Sequence, residues 1–309
     1  MKIVTLTMNP ALDKSIRIER LQPYRKLRSE APAYDAGGGS INVSRAIKIL
    51  GGESLAIFAA GGPTGEKIKE LLDEEGVEHR MIRIEDTTRE NLMVMEKSTE
   101  DQFRFGMPGS TLKKEEIQKC TDAVYDLSGD AEYIVASGSL PRGVPTDYYG
   151  EIAALAKKRN AKCVVDTSGK ALEEAAKRGV CLMKPNLGEL SALAGRKEIF
   201  GMEQEEIARE IIRESKAEIL IVSLGPRGAM VATKKDIQYV IPPTVKKKSV
   251  VGAGDSMLAG IILSQSRGED LITSVKYGVA AGTAATMTPG TDLCRKEDVE
   301  KIYEWLKDK

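Results

Sequence analysis

Apolar and polar residues follow two periods along this chain, and the places where one period gives way to the other outline its elements. Residues 2–8 form a short apolar run, as expected of a strand buried on both faces. Residues 14–36 hold short alternating segments such as Ser15-Ile16-Arg17-Ile18-Glu19, broken by Pro23 and Pro32, which predicts a small sheet outside the main body. An amphipathic helix over 40–50, closed by Gly51-Gly52, is followed by a strand at 54–60 and a helix over 63–75. Residues 77–84, 91–96 and 101–106 alternate like strands and read as further material for the small sheet.

A helix over 113–126 and a strand at 133–136 open a more regular stretch. Helix 146–159, strand 162–165, helix 169–178, strand 180–183, helices 187–194 and 203–215, and strand 218–223 succeed one another. A hairpin over 228–233 and 236–241 and helices 254–267, 269–286 and 296–307 complete the chain. Strands alternating with helices imply right-handed crossovers and an α/β fold whose mostly parallel sheet is covered on both faces. No repeat, low-complexity tract or interdomain linker interrupts the pattern.

Composition narrows the chemistry. Lys plus Arg and Asp plus Glu both number 46 in 309 residues, and Lys246-Lys247-Lys248 reads as a solvated strand end, so nucleic acid is not expected as a partner. Cys120, Cys163, Cys181 and Cys294 are scattered and His79 is the single histidine, which leaves no zinc spacing and makes a Ser-His-Asp enzyme implausible. The first residues lack the features of a signal peptide, and no apolar run approaches the roughly 18 residues of a membrane span. A reduced, cytoplasmic, soluble protein is expected.

The candidate chemistry gathers where strands end, which is where open α/β sheets bind ligands. Pro10 stops the first strand and leaves Asp13 at its carboxyl end, either as a turn cap or as an acceptor for a polyol. Gly37-Gly38-Gly39 precedes a helix with Asn42 in its first turn, a loop that lets a ligand approach the backbone closely. Asp166, Lys184-Pro185-Asn186 and Ser223-Leu224-Gly225 also fall at strand ends. Asn186 and Glu189, three apart at a helix start, face the same way and suit either a helix cap or the water shell of Mg²⁺. Val250-Val251-Gly252-Ala253-Gly254-Asp255 leads directly into a helix. Its amides can cradle an anion, and Asp255 is then either a dipole partner in the first turn or the base that receives a hydroxyl proton. Gly138 to Gly143 has P-loop spacing but continues Val144-Pro145, and the glycines at 252 and 254 lie too late for a Rossmann fingerprint, which also breaks at Met257.

In order along the chain stand Pro10-Ala11-Leu12-Asp13, Gly37 to Val43, Ser137-Gly138-Ser139-Leu140-Pro141, Val165-Asp166, Lys184 to Glu189, Ser223 to Ala229 and Val251 to Ser256. With these elements the chain, from Thr5 to Tyr303, resembles the ribokinase-like sugar kinases of the phosphofructokinase B family. Phe105-Gly106-Met107-Pro108-Gly109 and Gly278 to Thr286 look most like the minor bacterial branch of 6-phosphofructokinases.

The resemblance implies a three-layer ribokinase-like fold, one kinase domain over 1–309 whose β lid, about 14–36 and 89–107, closes over the sugar and makes a homodimer contact. Ile16, Ile18, Met93 and Met95 are the apolar lid residues expected in that contact. The implied reaction is ATP-dependent phosphorylation of fructose 6-phosphate at its 1-hydroxyl, with tagatose 6-phosphate or fructose 1-phosphate as near alternatives and a non-catalytic sensor as a remote one. In that reading Asp255 is the base and Gly252, Ala253 and Gly254 form the anion hole. Asp13, Lys26, Gly38, Gly39, Asn42, Arg89, Arg104 and Ser137 hold the sugar phosphate, the two arginines converging if their strands pair as a hairpin. Lys184, Asn186, Ser223, Gly225, Gly228 and Ser249 fall on the ATP side. Glu189, and Asp166 indirectly, attend Mg²⁺, while Ser249, Val251 and Gly290 mark a site for a monovalent cation, K⁺. Two residues depart from the family pattern: Val250, where many members carry Thr or Asp, and Asp292, where a basic residue is usual.

Overall fold

The computed structural model describes residues 2–199, 201–214 and 216–309. The chain opens with β1 (Ile3–Thr7), turns at Pro10 into β2 (Ala11–Ile18), returns along β3 (Ala33–Gly37) and enters α1 (Gly39–Ile49). Next come β4 (Leu55–Ala60), α2 (Gly62–Glu74), β5 (His79–Arg83), β6 (Arg89–Glu96), β7 (Gln102–Phe105), α3 (Lys114–Leu127) and β8 (Tyr133–Ser137). The regular half holds α4 (Tyr148–Lys158), β9 (Lys162–Asp166), α5 (Gly169–Arg178), β10 (Val180–Met183), α6 (Leu187–Leu193), α7 (Glu203–Arg213) and β11 (Ala217–Ser223). It ends in β12 (Ala229–Ala232), β13 (Ile237–Val240), α8 (Ala253–Ser266), α9 (Leu271–Ala285) and α10 (Lys296–Lys307). The last residue expected of the helix at 203–215 lies outside the described residues.

The large sheet runs β13-β12-β11-β10-β9-β8-β1-β4-β5, parallel from β5 to β11 and antiparallel beyond. Its inner strands bury both faces, so neighbouring residues there point into different cores. In β8, Ile134 and Ala136 pack toward α3, α4 and α5, while Tyr133 and Val135 pack toward α1, α8 and α9. A third cluster, with Leu12, Ile41, Phe58 and Leu72, fills the corner where α1 and α2 meet β4 beneath the small sheet. Helix α8 is apolar on every side and lies against α9 at Gly278, where a Cβ would meet Met257 O at 2.6 Å. That close approach fixes the height at which the N-terminus of α8 stands above the strand ends.

The small sheet runs β3-β2-β6-β7. Here the structure corrects three expectations. The segment at 77–84 is β5, the edge of the large sheet, paired in parallel with β4 from Ala56–His79 to Ala60–Arg83. The crossover through α2 returns it there, and an alternating pattern alone does not say which sheet a strand joins. Asp13 is not at the end of β1, because the chain resumes an extended course after Pro10 and places it inside β2, opposite Asp35 and Asn91. Finally, Ile16 and Ile18 stand opposite Val94 and Glu96, whereas Met93 and Met95 stand opposite Ser15 and Arg17. Pairing and alternation therefore put the isoleucines and methionines on opposite faces. The methionines line a 230 Å³ cavity against Pro289 and Gly290 of the main body.

Candidate active site

Helix α8 begins at the carboxyl ends of the parallel strands. Gly252 caps it with φ 67°, a left-handed conformation that suits glycine, and a Cβ there would lie 2.5 Å from Leu293 Cδ2. No side chain of that cap residue bonds the first turn, so the turn's amides and the helix dipole remain available to an anion. Gly254 leaves room for the Lys184 Nζ, which would lie 3.3 Å from a Cβ at that position.

Asp255 projects from this first turn and is half-buried. Its Oδ2 accepts a hydrogen bond from Asn42 Nδ2 at 2.8 Å, joining the first turns of α8 and α1; Oδ1 makes no hydrogen bond among the described residues. Burial and the nearby Asp166 push the carboxyl up to about 6, against the opposing pull of Asn42 and Lys184. Lys184, at the end of β10, is buried with its Nζ 3.2 Å from Asp166. Burial would lower its pKa, but Asp166, Asp255 and Glu189 outweigh that and hold it above the ordinary range.

The other nucleotide-side candidates lie on neighbouring strand ends. Asn186 and Glu189 form a reciprocal cap on α6, Asn186 N donating to Glu189 Oε2 at 2.8 Å and Glu189 N to Asn186 Oδ1 at 2.9 Å. The cap reading of their spacing is thus realised. Burial raises the Glu189 pKa, with Asp166 adding to the effect. Ser223 pairs with Asn186 as an isolated bridge, and Gly225 and Gly228, at φ 62° and 82°, make the turn after β11. A Cβ on Gly228 would lie 1.9 Å from Val240 O, so the turn admits no side chain there.

On the small-sheet side, Asp13 Oδ1 accepts from Asn91 Nδ2 at 2.8 Å, and burial raises the Asp13 pKa. Gly37 is what allows Asp13 this position, since a Cβ on it would lie 2.1 Å from Asp13 Oδ2; one on Gly39 would lie 2.5 Å from Ser137 Oγ. Gly38, at φ 124°, lies over Thr7 and Pro10 between those two contacts. Strands β6 and β7 do pair as a hairpin, setting Arg104 opposite Met93. Arg104 is exposed and, with Asp13, Asn91, Val251 and Thr291, lines a cavity of about 270 Å³. Arg89 is not a solvated arginine. It donates to the carbonyls of Asn9 at 3.1 Å and Met107 at 3.2 Å, and its burial lowers its pKa.

Two candidates are not drawn into the cleft. Lys26 stands on the exposed loop between β2 and β3 with no hydrogen-bond or ion-pair partner among the described residues. Ser249 is buried, its hydroxyl directed to Gly290 O at 2.8 Å, which ties together the two loops expected to supply the cation carbonyls, including Val251. Asp292, the departure in that region, is raised by burial and by Asp35. Sequence reasoning missed Asn91, although alternation from Arg89 puts it on the same face. It also missed buried Arg45, which binds Glu75 at 2.6 Å and Asp35 at 3.0 Å and so anchors β3 to α1 and α2. A larger cavity, about 1060 Å³, opens at the amino ends of β9, β10 and β11, away from these groups.

Amides awaiting an anion, a buried ammonium beside them and a carboxylate with one free oxygen suit the transfer of a phosphoryl group to a hydroxyl. Comparison with known proteins agrees with that chemistry. Residues 6–298 match the pfkB family carbohydrate kinases. The chain is 42% identical over 306 residues to ATP-dependent 6-phosphofructokinase isozyme 2 of Escherichia coli, covering 99% of both chains. It is also 42% identical over 303 residues to the protein of that name in Mycobacterium tuberculosis, covering 98% of this chain and 89% of the relative. The crystal structure of the Escherichia coli phosphofructokinase-2 in complex with potassium superposes with a TM-score of 0.95 at 42% identity, covering 99% of each chain. The chain belongs to the pfkB family of carbohydrate kinases.

If Asp255 must be ionised to accept a proton, kcat/KM for the acceptor sugar falls tenfold per pH unit below about 6 and is level above. The Asn42 hydrogen bond favours the ionised form, so Asn42→Ala moves this acidic limb to higher pH. Rate profiles of the two proteins between pH 5 and 8, a range of about three units around the ordinary working pH of enzymes, check this; superimposable limbs would exclude Asp255 as the titrating base.

Proposed function

We propose that this kinase transfers the γ-phosphoryl group of ATP to the 1-hydroxyl of fructose 6-phosphate, giving fructose 1,6-bisphosphate and ADP. The observation that carries the reading is the nearness of Asp255 and the uncapped α8 N-terminus to the cavity that Asp13, Asn91 and Arg104 line: Val251, which also lines it, leads straight into Gly252, and Asp13 is close enough to act on the Asp255 charge. In the reaction Asp255 Oδ1 takes the hydroxyl proton as the oxygen attacks. The amides of Gly252, Ala253 and Gly254, with Lys184 beside them, receive the charge of the transferring group. Asp13, Asn42, Ser137 and the Gly38-Gly39 backbone hold the sugar hydroxyls, while Asn186, Ser223, Gly225 and Gly228 border the nucleotide.

Two carboxylates, Glu189 and Asp166, lie around Lys184, and Mg²⁺ characteristically takes few protein ligands and keeps its waters, so they fit as holders of that water shell. Magnesium there would neutralise phosphate charge. The carbonyls of Val251 and Gly290, with Ser249 between the loops, are the corresponding proposal for K⁺. A coupled assay offering ATP with fructose 6-phosphate, tagatose 6-phosphate or fructose 1-phosphate, with and without each cation, tests the reading. Fructose 6-phosphate should give the highest kcat/KM, and Asp255→Asn should lower kcat about 10²–10⁴-fold. A variant keeping a tenth of the turnover would remove Asp255 from the chemistry.

The phosphate of the acceptor needs a charge-assisted partner, and Arg104 is exposed with no hydrogen-bond or ion-pair partner among the described residues. Arg89 spends donors on three backbone carbonyls, those of Asn9, Pro10 and Met107, so its removal also loosens the strand. Arg104→Ala should raise the KM for fructose 6-phosphate at least tenfold, equivalent to about 1.4 kcal/mol or more, with the KM for ATP nearly constant. Arg89→Ala should do likewise. Equal effects on both substrates would place the arginines on the transferred group instead.

We further propose that residues 1–309 act as one kinase unit, with the small sheet as its lid and the lid's outer surface as a homodimer contact. Ile18 and Val94 are already buried, and the large apolar groups left exposed in these segments are Leu21, Tyr24, Leu27, Tyr34, Phe105 and Met107. Light scattering at micromolar concentration should give twice the 33.6 kDa chain mass. A fully active monomer would end this assignment.

A further inference from the structure

We propose that Gln102 is a positioning residue that couples closure of the small sheet over the sugar phosphate to the loop shaping the nucleotide side of the cleft. The inference rests on the substrate reading above. Gln102 opens β7, the edge strand of the small sheet, whose ladder neighbour is β6. Its amide grips two consecutive residues of the main body: Nε2 donates to Lys248 O at 3.2 Å, and Oε1 accepts from Ser249 Oγ at 3.3 Å. The reverse amide orientation would set two carbonyl oxygens against each other at Lys248, so this orientation is the one the contacts select.

The gripped loop leads directly into the anion cradle. Lys248 N and Ser249 N donate to Thr286 O at 2.8 and 3.3 Å, so the loop is held by the end of α9 on one side and by Gln102 on the other. Val251 N donates to Ser249 Oγ at 3.2 Å, and Gly252 follows. Ser249 has one hydroxyl hydrogen and two acceptors, Gly290 O at 2.8 Å and Gln102 Oε1 at 3.3 Å. The balance between them depends on where β7 stands. Arg104 lies two residues further along the same strand, hence on the same face and about 7 Å away. A phosphate that draws Arg104 inward therefore carries Gln102 with it, and the loop receives the movement through two hydrogen bonds. By linkage, a nucleotide that orders the loop must favour the closed sheet to the same extent.

The test uses the whole protein with magnesium and a non-hydrolysable ATP analogue in calorimetric titrations, with and without saturating fructose 6-phosphate. In the wild type the sugar should tighten analogue binding about fivefold or more, the lower end of ordinary coupling. In Gln102→Ala that ratio should fall to within about twofold of one, while each ligand alone binds within about threefold of wild type and Tm is unchanged. Gln102→Glu keeps the length and the Ser249 acceptor but turns an oxygen toward Lys248 O, and should also lose coupling. An undiminished ratio in Gln102→Ala, or a wild-type ratio of one with both ligands bound, overturns the inference and leaves the substrate reading intact. So does equal weakening of both ligands with a lowered Tm, which marks a merely structural residue. A wild type that binds no fructose 6-phosphate overturns the substrate reading and this inference together.

Discussion

The site depends on a single buried ammonium. Asp166, Asp255 and Glu189 converge where β9, β10 and the first turns of α6 and α8 come together, and Lys184 is the cation whose charge all three meet. Carboxylates so close would otherwise repel, and a half-buried one would take up a proton. Lys184 offsets enough of that cost to leave Asp255 titrating near 6, ionised at neutral pH yet more basic than a surface aspartate. Removing one partner of such a buried group costs about 3–5 kcal/mol, because it leaves the remaining charges uncompensated. The glycine at 254 belongs to the same constraint, since a Cβ there would lie 3.3 Å from the ammonium and press on it.

The strand ends were the legible part of the chain. Glycines ahead of helices, and carboxylates, Lys184 and Asn186 where apolar runs stop, are local patterns, and in an α/β sheet all such ends meet at one edge. The two elements that misled did so for nonlocal reasons. Alternation at 77–84 is the same whether the strand joins the small sheet or the edge of the large one, and only the α2 crossover decides. Pro10 marks a break, but nothing near it says that Asp13 continues into a second strand.

Side-chain commitments were least legible. Asn91, Gln102 and Arg45 are ordinary polar residues in sequence, and their roles come from partners 78, 146 and 30 positions away. The reverse holds for Ser249, which lies beside a recognisable loop but spends its hydroxyl on Gly290. The Asn186 and Glu189 pair shows why spacing alone is ambiguous: the geometry that presents two side chains to a metal's waters also closes a capping box, and here one oxygen of Glu189 does the second job.

Arg45 has a mechanical consequence. It fastens β3 to α1 and α2 through Asp35 and Glu75, while β3 and β7 are the opposite borders of the four-stranded sheet. The sheet is thus fastened along β3, and its β7 border meets the main body through the Gln102 side chain. With strands about 4.8 Å apart, the β7 border stands roughly 14 Å from β3, so a swing of about 4° about β3 carries Arg104 through about 1 Å. A charge-assisted hydrogen bond is made or lost over that distance, so the proposed closure of the small sheet requires no interstrand pair to break.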